Sequence, residues 1–404
     1  MAELTFFLPI VDTARLTERL SIIEANHDGN SIFHPSELPR MHFMRFVIIP
    51  DAELGNLLAW GIDIDGDEDE WLHDALLVPG LAQIFECCAE FPGMNAAAEW
   101  LLAHRVKAAA QYCAYPYVTA AEITHAKQVH DTIRTYVDSH SLVNVPFDEV
   151  QRRLAEAAQD REPVDDNEDW FLLLKIAGVI LAIPVIVALL LIVIFGWYAV
   201  LRTHEKADAE AFAGPSHPVH DRDLGKFEDK IRQNQLTHVV DVKPGFFRLF
   251  TVWTVLHVID GLARIIYVRG HLGGITSIHF ARWMIVRDRR HRPKQRRHRI
   301  VFFSNYDGSW ESYLGEFIDR ASWGLTAIWS NTKDFPPTTN LAFDGAKDEE
   351  AFKQWTRDHQ LETQVWWSSV PDQTVQNIND DVALRRKLDA TLDREEMMAW
   401  LRRV

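Results

Sequence analysis

Cysteine is scarce in this chain: Cys87, Cys88 and Cys113 are the only three among 404 residues. Adjacent cysteines rarely bond to each other and an odd total leaves one thiol over, so a disulfide-stapled fold is not expected and a reducing compartment is the simpler reading. The short motifs that announce a reaction are missing as well. There is no glycine-rich phosphate loop, no H-E-x-x-H, no paired C-x-x-C and no G-x-S-x-G elbow, so none of those chemistries is indicated. The opening "MAELTFFLPIVDTARLTERL" has no basic leader and only a brief apolar run, and is not expected to act as a secretory signal. The 18 histidines are dispersed, "HEKADAEAFAGPSHPVHD" reads as a linker, and no metal site is expected. In "RGHLGG", Arg269 to Gly274, the glycines set a backbone bend rather than a phosphate cradle.

What is present begins with apolar sequence. At 47% hydrophobic and 25% charged, the composition is that of folded protein, long enough for two or three domains. From Trp170 to Leu201 the chain reads "WFLLLKIAGVILAIPVIVALLLIVIFGWYAVL", with Lys175 its only charge. A bilayer-spanning helix needs about 20 apolar residues, so this run is expected to enter a membrane. Trp170, Phe171, Trp197 and Tyr198 bracket it like the aromatic belts of membrane interfaces. Arg202 and Lys206 follow an acidic upstream flank, which places the downstream side in the cytoplasm. Pro184, near the middle, would remove a helical hydrogen bond and favour a kink. A single span and a hairpin returning to its own side both remain open.

The chain also repeats itself. "MHFMRFVII" at 41–49 and "IHFARWMIV" at 278–286 match His42 to His279, Phe43 to Phe280 and Arg45 to Arg282. Further on, Asp65-Gly66 matches Asp307-Gly308, and Trp71-Leu72 matches Tyr313-Leu314. Each copy reads as strand, hairpin, strand, Asp-Gly turn and helix, the glycine accepting positive φ and the aspartate suited to capping the coming helix. With a strand and helix before each copy and a short strand after it, near "QYCAYPYV" and "QVWWSSVP", the order is β-α-β-β-α-β twice. This is an α+β, ferredoxin-like pattern. It divides the chain into a first repeat (1–125), a helical and acidic linker (126–168), a membrane segment (169–202), a second linker (203–235), a second repeat (236–375) and a C-terminal helix (376–404). Two such units can pack sheet on sheet as a barrel. Residues 246–268 alternate apolar stretches with Arg248, His257, Asp260 and Arg264, reading as an amphipathic helix against membrane or sheet, with an Asp260–Arg264 pair one turn apart.

Tandem units of this kind resemble the dimeric α+β barrel superfamily of dye-decolourising peroxidases and chlorite dismutases. That resemblance implies a barrel able to hold haem, with His257, His271 or His279 as axial ligand and an aspartate before the Asp-Gly glycine as the distal group. Ser304 and Ile62 stand where the peroxidase motif has its first glycine. Read from the residues, His42, Arg45, Asp65, His279, Arg282 and Asp307 are the candidate catalytic groups, as acid/base or anion-binding partners, or else buried pairs that tie the repeats together. The chain is thus expected to be a membrane-anchored barrel binding a hydrophobic or haem-like ligand, or a noncatalytic membrane scaffold whose repeats drive homo-oligomer assembly.

Against a formal net charge of −16, one loop is strongly basic: Arg287, Arg289, Arg290, Arg292, Lys294, Arg296, Arg297 and Arg299. It is expected to be exposed and to meet anionic lipid headgroups on the cytoplasmic face, each cation adding about 1 kcal/mol near that surface. Nucleic acid is not expected as a partner, since the rest of the chain is acidic.

Overall fold

The computed structural model describes residues 1–25, 32–53, 55–142, 145–160, 196–212, 232–265, 275–287, 297–388, 390 and 392–403. Most of the apolar run 170–201, His271 and the basic residues Arg289, Arg290, Arg292, Lys294 and Arg296 therefore lie outside the described residues.

The α+β class and antiparallel sheets expected from the sequence are present. In the first half the order is β1 (Ala2–Pro9), α1 (Thr13–Ala25), β2 (Met41–Ile49), β3 (Leu57–Ile64), three short helices α2 (Glu68–Ala75), α3 (Gly80–Phe85) and α4 (Ala97–Ala103), then β4 (Ala110–Cys113), α5 (Ala120–Ser139) and α6 (Phe147–Ala158). A helical stretch covers 196–211. The second half runs β5 (Gln233–Asp241), α7 (Phe246–Ile265), β6 (Ile278–Arg287), β7 (His298–Asp307), α8 (Trp310–Trp329), a small hairpin β8 (Thr338–Thr339) and β9 (Phe343–Asp344), then α9 (Glu349–Asp358), β10 (Val365–Ser368), α10 (Val375–Arg386) and α11 (Arg394–Leu401).

The sheets are not each built from one half. Their strand orders are β1-β3-β2-β10 and β4-β6-β7-β5. The last strand of each half thus completes the other half's sheet, Val365 facing Phe46 and Ala110 facing Trp283. On the way, each crossing segment bonds to the first strand of its own half: Phe7 N–H to the His104 carbonyl at 3.1 Å and Val106 N–H to Thr5 at 2.9 Å, with Val239 to His359 at 3.0 Å and Leu361 to Thr237 at 2.9 Å as the counterparts. Backbone pairing therefore runs in a ring from one sheet to the other. Residues 1–125 and 236–375 are interlocked through their strands.

Every position of β3, and all but one of β2, is buried, which follows from covering both faces of a sheet. Outside the first sheet, α1 contributes Leu16, Leu20 and Ile23 at helical spacing to a core shared with Trp60, Trp71 and Phe85. Outside the second, α7, α8 and α9 supply Val252, Leu256, Tyr313, Phe317, Phe352 and Trp355. Between the sheets, Phe7, Val47, Ile49, Leu57 and Ala59 meet Met284, Val286, Val301 and Phe303. A fourth cluster joins α5, α6, α10 and α11 through Ile133, Leu154, Leu384 and Trp400.

The Asp-Gly turns form as read, with Gly66 at φ 87° and Gly308 at φ 79°. Their aspartates do not cap the coming helices. Asp67 caps α2, accepting from the N–H groups of Asp69 and Glu70, and Ser309 caps α8 through Ser312. Along α8, Trp310, Tyr313, Leu314, Phe317, Leu325 and Ile328 are buried at 3- and 4-residue spacings, while the helix kinks at Ala321. Asp260 accepts from the Gln111 N–H at 3.2 Å, so it steadies the crossing strand β4 instead of serving only its own helix.

Candidate functional site

All six candidate catalytic residues meet at the seam between the sheets. In β2 the pairing slips between Met41 and Phe43, and in β6 between Ile278 and Phe280. The extra residues are His42 and His279. A bulge leaves one residue unpaired and re-aims its side chain, so the simple alternation along "IHFARW" is broken at its histidine. Each histidine turns to the aspartate ending the neighbouring strand: His42 Nε2 to Asp65 Oδ1 at 2.9 Å, and His279 Nε2 to Asp307 Oδ1 at 2.8 Å. The second oxygen of each aspartate accepts the first N–H of the helix that follows a crossing strand, Ala120 for Asp65 and Val375 for Asp307, both at 2.8 Å. Each His–Asp pair therefore also holds the N-terminus of a helix distant in sequence, beside the capping Thr119 and Thr374.

The copies differ in one respect. His279 Nδ1 meets the Tyr115 hydroxyl at 2.8 Å, while His42 Nδ1, equally buried, has no hydrogen-bond partner among the described residues. Burial holds the Tyr115 phenol well above its ordinary range, so it stays a neutral hydrogen-bonding group. With both nitrogens engaged, His279 has none left for an iron. His257 stands on the exposed side of α7, its Nδ1–H donating to the Trp253 carbonyl at 2.8 Å and its ring 4.1 Å from that indole.

The arginines cross the seam in opposite directions. From β2, Arg45 donates to the carbonyls of Leu236 at 2.8 Å and Ser304 at 2.9 Å, to Thr237 Oγ1 at 3.2 Å, and to Asn305 Oδ1. From β6, Arg282 donates to the Ile62 carbonyl and to Asp63 Oδ1, each at 3.0 Å, and to Glu3 Oε2 at 3.2 Å. Arg282 therefore pairs with Asp63 and not with Asp307. Both guanidiniums lie over the Phe303 ring, 4.8 Å from its centroid for Arg45 and 5.7 Å for Arg282. Gly61 makes this approach fit, since a Cβ there would stand 2.9 Å from both Arg282 Nη2 and Phe303 Cε2. Burial, then the neighbouring Arg282, lowers Arg45 to about 9. Burial raises Asp63, against the pull of both arginines. Arg45, Arg282, Asp63 and Glu3 thus share one layer, with Trp366 of the crossing strand β10 donating to Asn305 Oδ1 at 2.9 Å.

Two of the described residues of the basic loop also face inward. Arg297 and Arg299 both pair with Asp51 of the opposite half, Arg299 being buried, while Arg287 is exposed. Around them an open polar cleft of about 360 Å³ includes Asp241, Lys333, Asp334 and His359. Lys333 Nζ lies 3.0 Å from Asp241, so the cations are matched by carboxylates.

His238 escaped notice in the sequence, where nothing marks it among strand residues. It is 1% exposed, both ring nitrogens lack partners among the described residues, and Trp329 and Trp355 enclose it at 4.9 and 4.7 Å between ring centroids. The cavity beside it, lined by Phe302, Tyr313 and Trp355 among others, is about 20 Å³, the size of one water. Burial also raises the thiols of Cys87 and Cys88, the latter to about 12, leaving them unreactive. Among the described residues no cluster of His, Cys, Asp or Glu could hold a metal ion.

Asp63, Glu3, Asn305, Tyr115 and Asp51 complete the seam. Of these, Asp63 and Asn305 have partners 219 and 260 residues away, beyond any local pattern. No family model, curated protein or solved structure matches this chain.

Proposed function

We propose that this protein is a noncatalytic, membrane-attached scaffold built from two ferredoxin-like units that share strands in one barrel and assemble with further copies. The observation that carries this reading is the filled seam: each candidate catalytic side chain is spent on the opposite strand, a helix N-terminus or the opposite half, and apolar residues of both sheets occupy the layer beside them. A barrel that held haem would need that layer open. In its place, buried ion pairs and caps lend register to two halves that would otherwise slide.

Strand exchange bears on topology. Because β4 and β10 each lie in the other half's sheet, both halves belong on one side of a bilayer. The apolar run between them then enters and leaves by the same face, with Pro184 near its midpoint. An arm of about 13 residues reaches roughly 20 Å, short of the ~30 Å hydrocarbon core, so such a run dips without crossing. The positive residues after it, Arg202 and Lys206, favour the cytoplasmic face, where the basic loop would meet anionic headgroups.

The test is purification of the full chain in detergent, with its absorption spectrum and its mass by sedimentation. A colourless protein of fixed stoichiometry above one is expected. A Soret band that disappears on changing His257, His271 or His279 would restore the haem reading.

A further inference from the structure

The outer face of α7 is a second feature that the seam does not explain. The window Phe246–Ala263 has mean hydropathy 1.4, long and apolar enough for a membrane, yet only 28% of it is buried. One side, with Val252, Leu256 and Ala263, packs on the second sheet. The other side is exposed and mostly apolar: Phe246 at 81%, Phe250 at 45%, Trp253 at 48% and Val258 at 56%, with Thr254 and His257 as its exposed polar residues. These aromatics form one row along the helix, with ring centroids 5.8 Å apart for Phe246–Phe250 and 6.4 Å for Phe250–Trp253. A groove lined by Ile259, Leu262, Phe317 and Trp323 continues the surface onto α8. Contiguous apolar surface of this kind is what water-facing proteins keep small.

The occupant is indicated by where the chain's apolar run ends. The run that begins at Trp170 extends to Leu201, and its last residues, within the helical stretch 196–211, pack directly on α7. The Trp197 indole N–H donates to Thr251 Oγ1 at 3.0 Å, and its ring lies 6.0 Å from Phe247. His204 stacks on Phe247 at 5.1 Å, and Arg248 pairs with Asp208. Tyr198 and Val200 remain exposed beside it, at 42% and 44%.

We infer that the Phe246–Phe250–Trp253 face of α7 seats the folded body on the lipid interface next to the point where the apolar run leaves the bilayer. This rests on the membrane attachment proposed above and adds which surface faces the lipid. Tryptophan and phenylalanine suit that depth, where an apolar ring is buried and a polar edge stays wet. An interfacial helix lies about 5–10 Å into the headgroup boundary, so the row would sit among headgroups and upper acyl chains.

The experiment uses the full chain in lipid vesicles, with a fluorophore on Trp253→Cys or, as control, on Glu18→Cys of α1, in a Cys113→Ser background. Both positions are exposed, so neither change threatens folding. Accessibility to iodide is read in vesicles and in detergent, together with quenching by nitroxide lipids. Expected is a several-fold loss of iodide quenching at 253 in vesicles, strong quenching by shallow nitroxides, and neither effect at 18. Equal iodide access at the two positions overturns the inference. So does protection of 253 without nitroxide quenching, which would put a second copy of the chain on this face. If the protein does not co-sediment with vesicles at all, membrane attachment itself fails, a result distinct from either.

Discussion

Asp63 is held by Arg282 at 3.0 Å inside the seam, and neither group reaches water to any extent. Replacing Arg282 with Met leaves a buried carboxylate unpaired and should cost about 3–5 kcal/mol. Changing Asp63 to Asn as well should recover part of that loss, with a coupling of about 1–3 kcal/mol in a thermal-unfolding cycle on the detergent-solubilised chain. Simple additivity would mean that the two residues do not act as a pair. His238 gives a second test at this scale. Burial, with His359 nearby, holds its imidazole well below the ordinary 6.5. The unfolded chain therefore takes up a proton that the folded chain refuses. Stability is full above about pH 6.5 and falls as the pH drops toward the lowered folded value, by up to ~1.4 kcal/mol per pH unit. His238→Phe, which keeps an aromatic ring between Trp329 and Trp355 and removes two unpaired nitrogens, should flatten that slope without lowering stability at pH 8. An unchanged acid slope in the variant would assign the dependence to other groups.

At the scale of elements, two devices fix how strands and helices join. One is the aspartate cap across elements. Asp307→Ala frees the Val375 N–H of α10 and also removes the carboxylate partner of His279, which keeps Tyr115, and Asp65→Ala does the same for α5 and removes the carboxylate partner of His42. Each should cost about 1–2 kcal/mol, the range for loss of a helix cap. Asp67→Ala should instead affect only α2, whose first turn it caps; amide exchange confined to 68–75 in that variant, and spread to 120–123 in Asp65→Ala, would separate the two roles. Exchange in α2 alone for both variants would contradict the cross-element cap. The other device is the space left by Gly61. A methyl group there collides with Arg282 and Phe303 of the facing sheet, so Gly61→Ala should destabilise by about 1–3 kcal/mol through overpacking, whereas Gly315→Ala, with nothing near its Cβ, should be neutral or stabilising. Comparable midpoints for the two variants would show that the sheets can separate to admit the methyl.

For the whole molecule the exchanged strands make the halves inseparable. A protease site introduced within 213–231 and cleaved after folding should leave both fragments in one particle on a native gel, since β4 and β10 remain bonded to the opposite sheets. Fragments that part without denaturant would show the pairing to be weak. The same interlock predicts sidedness. Cysteines placed at the exposed positions Glu18 and Lys347 should react with a membrane-impermeant maleimide from the same face of sealed vesicles, and labelling from opposite faces would require the apolar run to cross.

Periodicity and composition determined the strands, the amphipathic helices, the Asp-Gly turns and the twofold repetition, because each depends on residues within a few positions of one another. His42, Arg45, Asp65 and their second-half counterparts were recognisable as special on the same grounds: polar groups recurring at matched places on otherwise apolar strands. What they touch was decided by tertiary structure alone. Bulges at both histidines and the crossing of β4 and β10 gave His279 to Asp307, Arg282 to Asp63 and Arg45 to the carbonyls of the facing sheet. Arg297 and Arg299, alike in sequence to the rest of a basic loop, turned inward because Asp51 of the opposite half lies within reach. Hydrogen-bond partners hundreds of residues apart leave no periodic trace; closure of the strand ring selects them, and it does so only once both halves are folded against each other.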